Sequence, residues 1–221
     1  MDLPASLYPA AWQGGLLIVA MLGLYLTARR APWSRLGEAT KLHLVLGFAV
    51  ALTLVWSMKA GVQPGLNLHL LGAMAATLVL GAWLAVVSMS LALLGVLANG
   101  GIGLADWPVN FVLMALLPVL IANGIRYLAE RVLPAHFFIF VFVVGFAGAA
   151  LTVMLQGGIA AASLALAGAY PAGFLLEEYL PFFLLLGFSE GWISGAVITL
   201  MVVYRPEWVA AFDDRRYLLN K

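Results

Sequence analysis

The apolar block from Leu66 to Ala98 restricts the folding of this chain more than any other stretch. As one α-helix, at 1.5 Å per residue, it would be roughly 45–50 Å long, against a bilayer core of about 30 Å. It therefore has to break. Gly81-Ala82-Trp83 stands near its middle, and the reading places the break there, giving two short helices. A bilayer is the relevant solvent because only 10% of the 221 residues are charged and 64% are hydrophobic, with a mean hydropathy of +1.05. A soluble domain is nearer a quarter charged. The chain is accordingly read as an all-α integral membrane protein forming a single polytopic domain over residues 1–221. The absence of cysteine excludes disulfide frameworks and thiolate chemistry. No basic segment precedes the first apolar run, so that run is expected to act as the targeting signal.

Five further runs have the length and apolarity of spans: Trp12–Ala28, His43–Met58, Pro108–Tyr127, Phe137–Leu155 and Pro181–Tyr204. Ile159–Ala169 is apolar but half a span, and is expected to be an interfacial or re-entrant helix. Charge tests the count. Of the eleven Lys and Arg residues, Arg29, Arg30, Arg35 and Lys41 flank the first connector. Arg126 and Arg131 follow the fifth span, and Arg205, Arg215, Arg216 and Lys221 lie in the tail. Seven spans with the N-terminus outside put these ten on the cytoplasmic side and leave Lys59 outside. Reading Leu66–Ala98 as a single span would put Arg126 and Arg131 outside, against the positive-inside rule. The expectation is therefore seven helices, with residues 1–11 outside and a cytoplasmic tail over residues 205–221.

Small residues recur every fourth position at Gly187, Gly191 and Gly195, at Gly72 and Ala76, and at Gly145 and Ala149. Such spacing lets helices approach closely in lipid, either within this bundle or against a second membrane subunit. Glu190 lies among the first three. A carboxylate at the bilayer centre costs on the order of 2.5–3.5 kcal/mol on insertion scales, so it has to face the interior and find a partner. Asn110 and Ser189 are the candidate partners, and an ion path is the alternative role. His69 falls at the outer end of the third helix, and a neutral imidazole is a common metal ligand. A structural histidine is the plainer reading. His43 and His136 fall near cytoplasmic ends and are read as interfacial. Glu177 and Glu178 are read as a solvated outer loop. No HExxH, P-loop or paired Asp marks an enzyme, and Gly191-Trp-Ile-Ser194-Gly195 places its serine wrongly for an intramembrane serine protease. The basic clusters are ordinary topology signals, so nucleic-acid binding has no support.

The order of motifs resembles the CbiM/NikM family, the substrate-binding membrane subunits (S components) of energy-coupling-factor transporters for cobalt and nickel. The residues that carry the likeness are Pro64-Gly65, His69-Leu70-Leu71-Gly72, Leu80-Gly81-Ala82-Trp83, Gly100-Gly101, Gly103, Asn110 and Gly187-Phe-Ser-Glu190-Gly191-Trp-Ile193-Ser194. They span roughly residues 62 to 204. The resemblance implies a metal site facing outside. In the family the N-terminus begins Met-His and folds back, so that its amine, the second residue's backbone nitrogen and imidazole, and the histidine of His-Leu-Leu-Gly hold a divalent ion in a plane. Four planar nitrogens suit nickel(II) and cobalt(II). Here His69 matches the last ligand and Met1 supplies an amine. Position 2 is Asp2, which offers a harder oxygen ligand, and Phe183 stands where family members often carry a histidine.

The resemblance implies a substrate-binding subunit of an ABC-type importer in a bacterial inner membrane. Its cargo is Co2+ or Ni2+, its expected metal ligands are Met1, Asp2 and His69, and Asn110 orients a ligand. Glu190 is structural or on the release path. Partner subunits would hydrolyse ATP and couple it through a second membrane subunit, the T component. The competing reading is an accessory membrane scaffold that keeps the fold without the metal site, and Asp2 and Phe183 point that way.

Overall fold

A computed structural model describes residues 3–61, 63 and 65–219. Its principal helices are α1 (Ala10–Arg30), α2 (Ala39–Ser57), α3 (Ala73–Leu80), α4 (Ala82–Ala98), α5 (Leu104–Val132), α6 (Ile139–Leu166) and α7 (Ala172–Tyr204). Helices α1, α2, α5, α6 and α7 are long and apolar enough to cross a membrane, and α4 is a shorter apolar helix. The protein is an all-α membrane protein.

The break between α3 and α4 falls at Gly81, with φ 80° and ψ 157°. That backbone region is open essentially to glycine alone, which is why the helical part of the block divides there. The third helix is much shorter than expected. It begins at Ala73 rather than Leu66, because Gly72 is left-handed, with φ 72°. Residues 66–72 form a non-helical lead, tied at its start by an antiparallel pairing of Ala60–Gly61 with Asn67–Leu68. His69 belongs to this lead and not to a helix. Irregular backbone at membrane depth survives only where protein covers it, and Leu66, His69 and Leu71 are all buried.

A second expectation fails at Ile159–Ala169. Most of that segment is the last part of α6, which runs unbroken through Gly157 and Gly158 to Leu166. The helix continues past this glycine pair because its buried face stays packed. A Cβ at Gly157 would overlap the Phe183 ring of α7.

Helix α5 contains a π-helical stretch, Phe111–Leu116, followed by Pro118. In this stretch the Leu117 N–H bonds the Val112 carbonyl, five residues back. The next donor in that register is missing because Pro118 has no N–H, which leaves the Leu113 carbonyl without a helical partner. Gln156 of α6 donates its Nε2–H to that carbonyl at 2.9 Å. A proline defect in one helix is thus corrected by a buried amide from the next.

The glycine row of α7 packs inward. A Cβ at Gly187 would lie 3.1 Å from Met154 Cγ, one at Gly191 would lie 3.1 Å from the Phe146 carbonyl oxygen, and one at Gly195 would overlap the Phe146 ring. The row is therefore a helix–helix contact inside the bundle. The basic clusters gather at one end. Lys41 donates to the carbonyls of Glu207 and Trp208 at 3.4 and 3.2 Å, and Arg216 pairs with Glu130 at 3.7 Å. Arg30 lies over the Trp83 ring, 5.5 Å from its centroid. Lys59 is at the opposite end, where it donates to the Gly101 carbonyl.

Candidate functional site

Three local arrangements meet at the end of the bundle away from the basic clusters. The first is a clasp on the chain's start. Asn110 of α5 accepts the Leu3 N–H at 2.8 Å and donates to the Leu3 carbonyl at 2.9 Å, so its amide pairs with one residue as a neighbouring strand would. Leu3 and Asn110 are both fully buried. Two residues on, Asp106 Oδ1 accepts the Ala5 N–H at 2.7 Å, while Oδ2 accepts the Gly103 N–H. Gln13 of α1 donates to the carbonyls of Ala5 and Tyr8. Tyr8 is buried and reaches Ser163 of α6 at 2.8 Å. Ser163 gives its own proton to the Ala160 carbonyl, so the Tyr8 hydroxyl is the donor of that pair. Burial holds the Tyr8 hydroxyl above its ordinary pKa, outweighing the bond to Ser163, and so keeps the proton this bond uses.

The second arrangement fixes the 66–72 lead. Glu190 accepts the Leu71 N–H on Oε2 at 2.7 Å and the Gly72 N–H on Oε1 at 2.6 Å, and Ser194 donates to Oε1 at 3.2 Å. The partners expected for Glu190 were Asn110 and Ser189, and neither is one. Asn110 is occupied by Leu3, and Ser189 is exposed and bonds the Leu185 carbonyl of its own helix. The donors that do serve Glu190 exist because the lead is not helical. Its amides point outward instead of back along a helix.

The third arrangement is His69 itself, only 6% exposed. Its Nδ1 lies 2.9 Å from the Leu70 carbonyl oxygen, which can only accept. The neutral ring therefore carries its proton on Nδ1 and its lone pair on Nε2. Trp56, at the end of α2, lies beside the ring at 5.6 Å between centroids. The clasp and the lead touch each other. Gly65, with φ 79°, admits no Cβ because one would lie 2.8 Å from Pro4 Cδ. The start of the chain thus packs directly on the segment that leads to His69.

Of the residues read as a site, Met1 and Asp2 lie outside the described residues. Asn110, Glu190 and His69 serve one region through different neighbours and do not touch as a set. Among the described residues no group of three His, Asp, Glu or Cys comes together at metal-binding separation. His43 is exposed at the start of α2, close to Lys41 and far along the helix from His69. Phe183 is buried edge-on to Tyr179 and against Gly157, so its position is filled by packing. Gln156, Asp106 and Trp56 were not singled out from the sequence. Gln156 had a signal, since a polar residue in an apolar run opposite a helix with an internal proline points to backbone repair.

This helical bundle, with a buried N-terminal segment clasped next to an irregular histidine-bearing lead, defines a polytopic membrane protein. The family model described as the cobalt uptake substrate-specific transmembrane region, CbiM, matches residues 2–208. The chain belongs to that family. A solved structure described as a transition metal transporter superposes with a TM-score of 0.78 at 18% identity, covering 91% of this chain and 92% of the other. At that identity the likeness shows the fold. Among curated proteins none matches this chain in sequence.

Proposed function

We propose that this protein is the substrate-binding membrane subunit of an energy-coupling-factor type importer for a divalent transition-metal cation, in a bacterial inner membrane. The observation that carries this reading is the Asn110 clasp on Leu3. It holds Leu3, the neighbour of the proposed ligands, against α5. Pro4 packs on Gly65, so this anchored segment lies against the chain that leads to His69. The proposed ligands are the Met1 amine, Asp2 and Nε2 of His69. Asn110 and Glu190 act as positioning residues, one for each half of the site. The carboxylate of Asp2 is a harder donor than imidazole, so the preference for planar four-nitrogen coordination is relaxed. Co2+ and Ni2+ are the cations to test first.

The positive-inside rule gives the orientation. The basic end faces the cytoplasm, residues 66–80 count as one crossing, and the seven crossings start from an outside N-terminus. ATP hydrolysis then belongs to partner subunits, coupled through the T component. Calorimetry on purified protein should show saturable binding of Co2+ or Ni2+, lost in His69→Ala. Unchanged affinity in that variant removes His69 from the site. A specific observation favours a second reading, an accessory scaffold without a metal site: Phe183 is a packed core residue where the family often has histidine. Absence of any cation binding, together with failure of ATPase subunits to co-purify, supports that alternative.

A further inference from the structure

We propose that the segment after α7 is a latch on α3, which holds the helix behind the His69 lead and releases it from the basic end. The case starts from the last turn of α3. Its helical ladder stops at Gly81, whose N–H bonds the Thr77 carbonyl. The carbonyls of Leu78 and Val79 lose their helical partners at that break. Both residues are fully buried, so water does not serve them. Their partners come from the tail: Ala211 N–H bonds the Leu78 carbonyl at 3.0 Å, and Ala210 N–H bonds the Val79 carbonyl at 3.1 Å. The same chain segment therefore grips α3 at both ends. Glu190 of α7 holds the amides of Leu71 and Gly72 before it, and the tail that follows α7 holds its last carbonyls.

The tail is fastened by few contacts, each easy to name. Val209, Phe212 and Tyr217 are buried against the base of the bundle. Phe212 stacks on Tyr217 at 5.1 Å and meets Phe140 at 5.0 Å. Lys41 bonds two tail carbonyls, and Arg216 pairs with Glu130 at 3.7 Å. The outward side carries Asp213, Asp214 and Arg215, all exposed. This distribution, with one small apolar anchor and a charged outer face, is that of an element able to detach without unfolding the bundle. When it detaches, two buried carbonyls lose their donors, so the lower turn of α3 has to shift toward water. That shift passes along α3 to the lead carrying His69.

Hydrogen exchange of the full chain in nanodiscs, with no cation added, tests this independently of the metal reading. Phe212→Asp undocks the tail by placing a charge in its apolar anchor. Amides from Thr77 to Gly81 should then exchange at least ten times faster, with α4 unchanged. A wild-type rate at those amides overturns the latch. If Phe212→Asp raises exchange in every helix alike, Arg216→Ala decides, since its side chain is partly exposed and its loss leaves the anchor packed. A rise confined to the tail and α3 supports the latch in that variant, and a rise confined to the tail overturns it.

Discussion

Glu190 is the residue whose chemistry depends most on its surroundings. A carboxyl group within a membrane helix is costly, yet here it meets two backbone N–H groups that would otherwise be buried without acceptors. Each stranded donor costs about 1–3 kcal/mol. Glu190→Ala should therefore lower thermal stability in detergent by an amount in that range or above. Glu190→Gln should fall between it and wild type, since an amide keeps one acceptor oxygen and aims a donor at the other N–H. Equal melting temperatures for all three would remove Glu190 from its holding role. Gly157 gives a test of the opposite kind. Gly157→Ala should destabilise by about 1–3 kcal/mol through overpacking against Phe183, and Phe183→Leu in the same chain should recover part of it.

At the scale of elements, α5 and α6 are joined by a repair. Pro118 removes a donor, the π-helical register directs the loss to Leu113, and Gln156 supplies the replacement. Gln156→Leu should cost about 1–3 kcal/mol by leaving that carbonyl unpaired. Pro118→Ala restores an N–H in the same register, so Gln156→Leu should cost less in that background. A double-mutant cycle by thermal unfolding measures the coupling, and strictly additive effects would separate the two residues. The N-terminal clasp predicts differently. Asn110→Ala should leave the bundle folded while the Leu3 and Ala5 amides exchange faster, because both groups of Leu3 lose their partner at once.

For the whole molecule, the three basic clusters meet at one end, and the clasp, the His69 lead and Lys59 lie toward the other. Because the chain has no cysteine, single substitutions can report sidedness directly. Gln63→Cys and Asp213→Cys, both at exposed positions, should react with an impermeant thiol reagent from opposite faces of oriented vesicles. Labelling from the same face would contradict the proposed number of crossings.

Composition and the length of the apolar runs were enough to establish a helical membrane protein, because a bilayer admits few other ways to satisfy a backbone. The division at Gly81 was equally legible, since a long apolar block with a glycine at its middle has one cheap place to turn. What the chain does at Leu66–Gly72 was not legible. That segment is apolar enough for a helix, and it stays irregular because Glu190, 119 positions from Leu71, accepts the amides of Leu71 and Gly72 and because Gly72 takes a left-handed φ. The same holds for Ile159–Ala169, where packing across Gly157 carried the helix past a pair of glycines. Local sequence sets which conformations are affordable, but partners distant in the chain decide which of them is buried and bonded.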